Sequence, residues 1–140
     1  MTARRQLCTF HLAELFLGVD AQQVQEVLTH RPMTRVPLAP PEVRGLINLR
    51  GQIVPAVDLR ARLKLPPSDQ PAMNVVIRTD SGPVSFLVDD IGDVMEVSEA
   101  DFERPPATMT GAARKLIRGA YKLDGQLLLL LAAAETAELG

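Results

Sequence analysis

What most restricts this chain is how often it is interrupted. Apolar runs of about five to seven residues alternate with turn residues at roughly 8 to 12 residue spacing, and no stretch keeps a helical period long enough for a long amphipathic helix. Residues 45–60, GLINLRGQIVPAVDLR, show the pattern best. Two apolar runs, Leu46 to Leu49 and Ile53 to Val57, flank Arg50 and Gly51, as in a hairpin with a tight turn. The glycine suits such a turn, but a full cation at its tip calls for another reason.

Similar reasoning places the other elements. Cys8, Phe10 and Leu12 alternate with Thr9 and His11, the period of a half-buried strand, and Leu15 to Val19 reads as a second. Asp20 looks like a helix N-cap, with Gln23 as its capping-box partner and Val24, Val27 and Leu28 on one face, so a helix is expected there, ending before Pro32. Pro32, Pro37, Pro40 and Pro41 fix an irregular crossing. Asp58 is expected to cap a short helix from Leu59 to Leu65, stopped by Pro66 and Pro67. Strands are expected at Asn74 to Arg78, Val84 to Val88 and about Ile91 to Val97, and residues 98–113 look mostly irregular. Ile117 to Leu123 and Gln126 to Leu131 form a last hairpin around Asp124-Gly125, and Glu135 to Leu139 a closing helix. The sum is an all-β barrel or sandwich with short helices attached.

Several classes of function are disfavoured. The apolar start, Leu7 to Val19, is interrupted by His11 and Glu14 with no small-residue cleavage site after it, so it does not read as a signal peptide. Leu127 to Ala134 is eight residues, against the roughly 20 that a membrane helix needs. One cysteine, Cys8, allows no internal disulfide and points to a reducing, cytoplasmic setting with Cys8 as a small buried side chain. Net charge is −2, yet five bases face one acid between Arg44 and Lys64, while Asp89 to Glu103 carries seven acids and no base. This suggests a protein partner or two solvated faces of opposite sign more than nucleic acid.

Catalytic chemistry has no constellation to rest on. His11 and His30 stand alone, which fits structural or exposed histidines better than ligands or bases. One Cys and two separated His make no zinc set, and Gly45 and Gly51 lack the Lys-Ser/Thr of a phosphate loop. Asp89, Asp90, Asp93 and Glu96 lack the spacing and glycine of a helix-loop-helix calcium loop and read as an acidic edge. No cofactor is expected.

The residues do resemble a family. Phe10-His11-Leu12, Leu17-Gly18-Val19-Asp20, Val24-Gln25-Glu26-Val27, residues 45–55 and Val57-Asp58-Leu59-Arg60 together look like the CheW family of chemotaxis coupling proteins. Val88-Asp89-Asp90-Ile91, Pro105-Pro106, Ile117-Arg118-Gly119 and Leu123-Asp124-Gly125 continue the match in order. The chain departs from that pattern at Leu17, where an aromatic is common, and at Leu130-Leu131-Ala132, where the family usually has an acid after its last strand.

The resemblance implies a single domain of two small SH3-like five-stranded barrels packed together, with a hydrophobic groove between them. It implies a cytoplasmic adaptor, without catalysis, that holds the regulatory domain of a CheA-type histidine kinase beside the cytoplasmic tip of a methyl-accepting chemoreceptor. Receptor contact falls on Arg50, Glu26 and Val24, and Ile47, Leu49 and Val54 are candidates for groove or core. Arg50 would keep its charge and offer five donors to a docked helix, the alternative being that it only caps the turn or pairs with Asp58. Rival readings are an adaptor for pili, surface motility, development or gene expression, a detached kinase regulatory domain, and a small-ligand-binding barrel. Met1 and the chain's end near the last expected element favour a free-standing protein over the detached domain.

Overall fold

The tight turns predicted from sequence set the architecture. The computed structural model describes residues 3–138, so that Met1 and Leu139, on which two of the expectations above fall, lie outside the described residues. In chain order the elements are β1 (Arg4–Leu12), β2 (Leu15–Asp20), β3 (Val24–Leu28), β4 (Val43–Leu49), β5 (Gln52–Asp58), α1 (Leu59–Arg62), β6 (Met73–Thr79) and β7 (Gly82–Val88). There follow β8 (Asp90–Ser98), β9 (Phe102–Glu103), α2 (Gly111–Leu116), β10 (Ile117–Leu123), β11 (Gln126–Leu131) and α3 (Ala133–Ala137). They build a six-stranded sheet, β8-β1-β2-β11-β10-β9, and a five-stranded sheet, β3-β6-β7-β5-β4.

Both sheets roll, and the chain itself shows it. β8 and β9 are opposite edges of the first sheet, where five strand spacings in a flat sheet would hold them about 24 Å apart. Only a three-residue 3-10 turn, Glu99–Asp101, joins them, and that link reaches at most about 14 Å. In the second sheet the edges are β3 and β4. Thr34, on the chain leaving β3, forms a bridge with Leu46 on β4, its N–H and C=O both bonded at 2.9 and 2.8 Å. The expected pair of small barrels thus takes the form of two rolled sheets, the first with six strands because the two-residue β9 adds itself to β10.

Three apolar clusters fill the interior. The largest lies between the sheets and joins Phe10, Leu17 and Leu129 of the first to Val75, Ile77 and Phe86 of the second. Leu7, Val97, Tyr121, Leu128 and Leu130 pack inside the first sheet, and Ile47, Leu49, Val54 and Val76 inside the second. Each large apolar side chain removed from water contributes about 1.5–3 kcal/mol.

The chain passes between the sheets twice. The first passage is at Asp20, whose carboxylate accepts from the Gln22 N–H at 3.0 Å and so does act as a cap. What it caps is a single 3-10 turn, Ala21–Gln23, and not the expected helix. Residues 24–28 form β3 instead, because Val24, Val27 and Leu28 pair with β6 at Ile77, Val75 and Asn74, and that tertiary pairing overrides a helical spacing only five residues long. The second passage is a single residue, Asp89. Arg60 on α1 grips it through Nε and Nη2 (2.9 and 2.5 Å), and the Ala13 N–H in the β1–β2 turn donates to it at 2.7 Å.

Other expectations shift by smaller amounts. Residues 98–113 contain β9 and the first half of α2 where irregular chain was expected, and α3 begins at Ala133 instead of Glu135. Arg62 holds α3 by donating to the carbonyls of Glu135, Thr136 and Glu138 at 3.0, 3.0 and 2.7 Å. Cys8 is half-buried where full burial was expected; it packs at the margin of the central cluster, beside a bulge in the β1–β8 pairing.

Candidate functional site

The tip of the β4–β5 hairpin is a two-residue turn. Arg50 and Gly51 have φ of +54° and +85°, the positive pair that a type I′ turn demands. Gly51 adopts this freely, whereas Arg50 is there at a cost. The Asn48 side chain steadies the turn by accepting from the Gly51 N–H at 2.9 Å.

The cation at the tip meets an anion from the far edge of the same sheet. Arg50 Nη1 and Nη2 donate to Glu26 Oε2 and Oε1 at 2.5 and 2.8 Å, a bidentate pair between the hairpin and β3. The Arg50 side chain is 73% exposed and that of Glu26 18%. Hydrogen bonding by Arg50 holds the Glu26 carboxyl below the usual carboxylate range, and the same bonds raise Arg50 further, so both stay charged. Two of five guanidinium N–H groups are used, which leaves the outward side of the fork free to donate.

The fold therefore joins two of the sequence-predicted residues and separates the third. Val24 is half-buried against the central cluster, and its carbonyl accepts from Arg78 at 3.2 Å. Ile47, Leu49 and Val54, candidates for groove or core, are buried inside the second sheet, where inward parity gives these side chains to the barrel interior. The apolar surface nearest the tip was missed and belongs to Ile53, 57% exposed. Strand alternation carried the signal, since Val54 pointing in requires Ile53 pointing out.

Asp58 is not the partner of Arg50. It pairs with Arg44 at 3.1 Å and caps α1 by accepting from the Arg60 N–H at 3.0 Å. The charge asymmetry is in large part consumed internally, with Arg60 on Asp89, Arg4 on Glu96 at 3.0 Å, Arg5 on Glu99 at 3.5 Å and Lys122 on Glu103 at 3.1 Å. Among the described residues, no three of His, Cys, Asp and Glu are grouped to hold a metal ion. His11 stacks on Phe16 with centroids 4.8 Å apart, and His30 is exposed. No helix among the described residues is long and apolar enough to cross a membrane.

An exposed ion pair on a stiff turn is a candidate recognition feature; comparison with known proteins identifies the family. A family model described as the CheW-like domain matches residues 6–139. The chain is 32% identical over 129 residues to the chemotaxis protein CheW of Rhizobium meliloti, covering 91% of this chain and 83% of that protein. Its likeness to the chemotaxis protein CheW of Treponema pallidum is 29% over 132 residues, 90% of this chain and 78% of the other. Among solved structures, the scaffolding protein TtCheW from Thermoanaerobacter tengcongensis superposes with a TM-score of 0.87 at 26% identity, covering all of this chain and 95% of that one.

Proposed function

The chain belongs to the CheW family, a chemotaxis adaptor without catalytic activity, and from that premise we propose which surfaces it uses and for whom. It serves in the cytoplasm as a single domain of two lobes, with the regulatory domain of a CheA-type histidine kinase and the cytoplasmic tip of a methyl-accepting chemoreceptor as its partners. The receptor meets the hairpin tip. Arg50 and Glu26 make the contact, with Val24 supporting β3 from beneath.

One observation carries this reading: the bidentate Arg50–Glu26 pair is exposed on the Arg50 side while anchored on both edges of a rolled sheet. Glu26 fixes the guanidinium plane, and the unused N–H groups of Arg50 point outward to carboxylates or the terminal carbonyls of a receptor helix. Exposed Ile53 adds apolar contact beside it. Binding at such a tip depends on geometry more than on bulk, so it fits a partner that must be held at a set angle.

The test is to titrate a receptor-tip fragment against the full chain and against Arg50→Ala and Glu26→Ala. We expect each variant to lose receptor affinity by about tenfold or more, to keep its circular dichroism spectrum, and to bind kinase as before. Receptor affinity unchanged in both variants would refute the assignment.

A further inference from the structure

We propose that the cleft between α1, α2 and α3 binds a small organic anion, a phosphate or carboxylate carried on an apolar body, through Arg62, Lys64 and Lys115.

The cleft has a volume of about 530 Å³, within the range of small-molecule sites. Three cations line it, and its one acid, Glu135, is engaged by Arg118 at 3.3 Å. Among the described residues, Arg62, Lys64 and Lys115 have no salt bridge. Arg62 is the decisive case. It is half-buried, and its Nε and Nη2 donate only to the neutral carbonyls of Glu135, Thr136 and Glu138. Those bonds fix the guanidinium plane and leave both N–H groups of Nη1 without a partner among the described residues. A half-buried charge is unfavourable without a counter-charge, and the described residues supply none.

Lys64 adds a second sign. It stands just past α1 at φ +61°, where its N–H and that of Leu65 turn back to the carbonyls of Ala61 and Arg60 at 3.2 and 2.7 Å. Glycine is what such a helix end favours, so the chain accepts backbone strain and sets an ammonium on the rim of the cleft. Between the cations the lining is apolar, with Leu116 and Ala112. A bare inorganic ion leaves that surface wet, whereas an anion with an apolar body covers it. The position gives the site its consequence. α1 leaves β5 of the second sheet while α2 and α3 flank the last hairpin of the first, so an anion touching both Lys64 and Lys115 ties the two sheets together.

The test titrates phenyl phosphate into the full chain and follows amide shifts and the urea midpoint, with inorganic phosphate and phenol as controls. We expect shifts grouped at residues 62–64 and 112–116 and a midpoint that rises with phenyl phosphate. Its affinity should exceed that of either control by about tenfold and fall as salt is raised. Lys64→Gly relieves the backbone and removes the ammonium, so it should resist urea at least as well as the parent. Combined with Lys115→Ala it should lower the affinity by about tenfold or more, and if that double variant fails to fold, Lys64→Gly alone decides, with about a threefold loss expected. Arg50→Ala should bind phenyl phosphate as the parent does, which separates this site from the receptor assignment. Unchanged affinity in the double variant overturns the proposal, as do shifts placed elsewhere or no shifts. Inorganic phosphate binding as tightly as phenyl phosphate overturns it by showing an adventitious ion only, and attachment only to phosphatidic acid vesicles overturns it in favour of a membrane contact.

Discussion

Gly45→Ala tests whether the second sheet is closed where the structure closes it. A Cβ at Gly45 would lie 2.7 Å from the Thr34 carbonyl oxygen and 3.2 Å from Met33 Cβ. Ordinary contact begins near 3.5 Å, so the Thr34 strand must retreat by roughly 0.8 Å. That retreat stretches the two bonds of the Thr34–Leu46 bridge, now 2.9 and 2.8 Å, beyond useful length. At about 1 kcal/mol net for each bond, the variant should lose about 2 kcal/mol. With a urea slope of about 2 kcal/mol/M, the unfolding midpoint falls by about 1 M. Gly51→Ala is the control, since its Cβ meets nothing within 4 Å and only its positive φ is penalised, at about 1 kcal/mol. Amide exchange at Thr34 and Leu46 should accelerate in Gly45→Ala and stay slow in Gly51→Ala. A midpoint for Gly45→Ala equal to the parent's, or above that of Gly51→Ala with exchange at Thr34 unchanged, would refute the closure argument.

Two further outcomes follow from the clamps between elements. The Arg60 hydrogen bonds hold the Asp89 carboxyl below its ordinary value, so its contribution to stability is complete above roughly pH 4 and disappears as pH falls through the depressed folded value. Urea midpoints measured from neutral pH downward should therefore drop less steeply in Asp89→Asn than in the parent, and parallel curves would contradict the assignment. Arg62→Ala frees three carbonyls at the end of α3 and should cost about 1–3 kcal/mol, visible as earlier exchange of the Thr136 amide than of amides in β6.

Local signals were read correctly wherever turn chemistry and alternation acted alone. The β10–β11 hairpin falls at the expected residues because Gly125, at φ +79°, supplies the turn and the flanking runs leave one register. The capping role of Asp58 was legible for the same reason. β3 was misread because five residues with an acidic cap suit either period, and only pairing with β6, some fifty residues later in the chain, decides between them. The Arg50–Glu26 pair was equally hidden. The two residues are 24 apart and lie on opposite edges of their sheet, so nothing short of the curl of that sheet brings them together. Ile47, Leu49 and Val54 were open between groove and core, with core favoured because apolar residues on short barrel strands mostly face inward, and they do lie in the interior.

Asp89 has a mechanical meaning beyond its charge. A connection of one residue, pinned from two sides by Arg60 and Ala13, has almost no torsional slack, and the sheets it joins share the largest apolar cluster. The two sheets should then move as one body: a push that tilts the β4–β5 hairpin of the second sheet is passed through this joint to the first sheet, without any element having to unfold or rearrange.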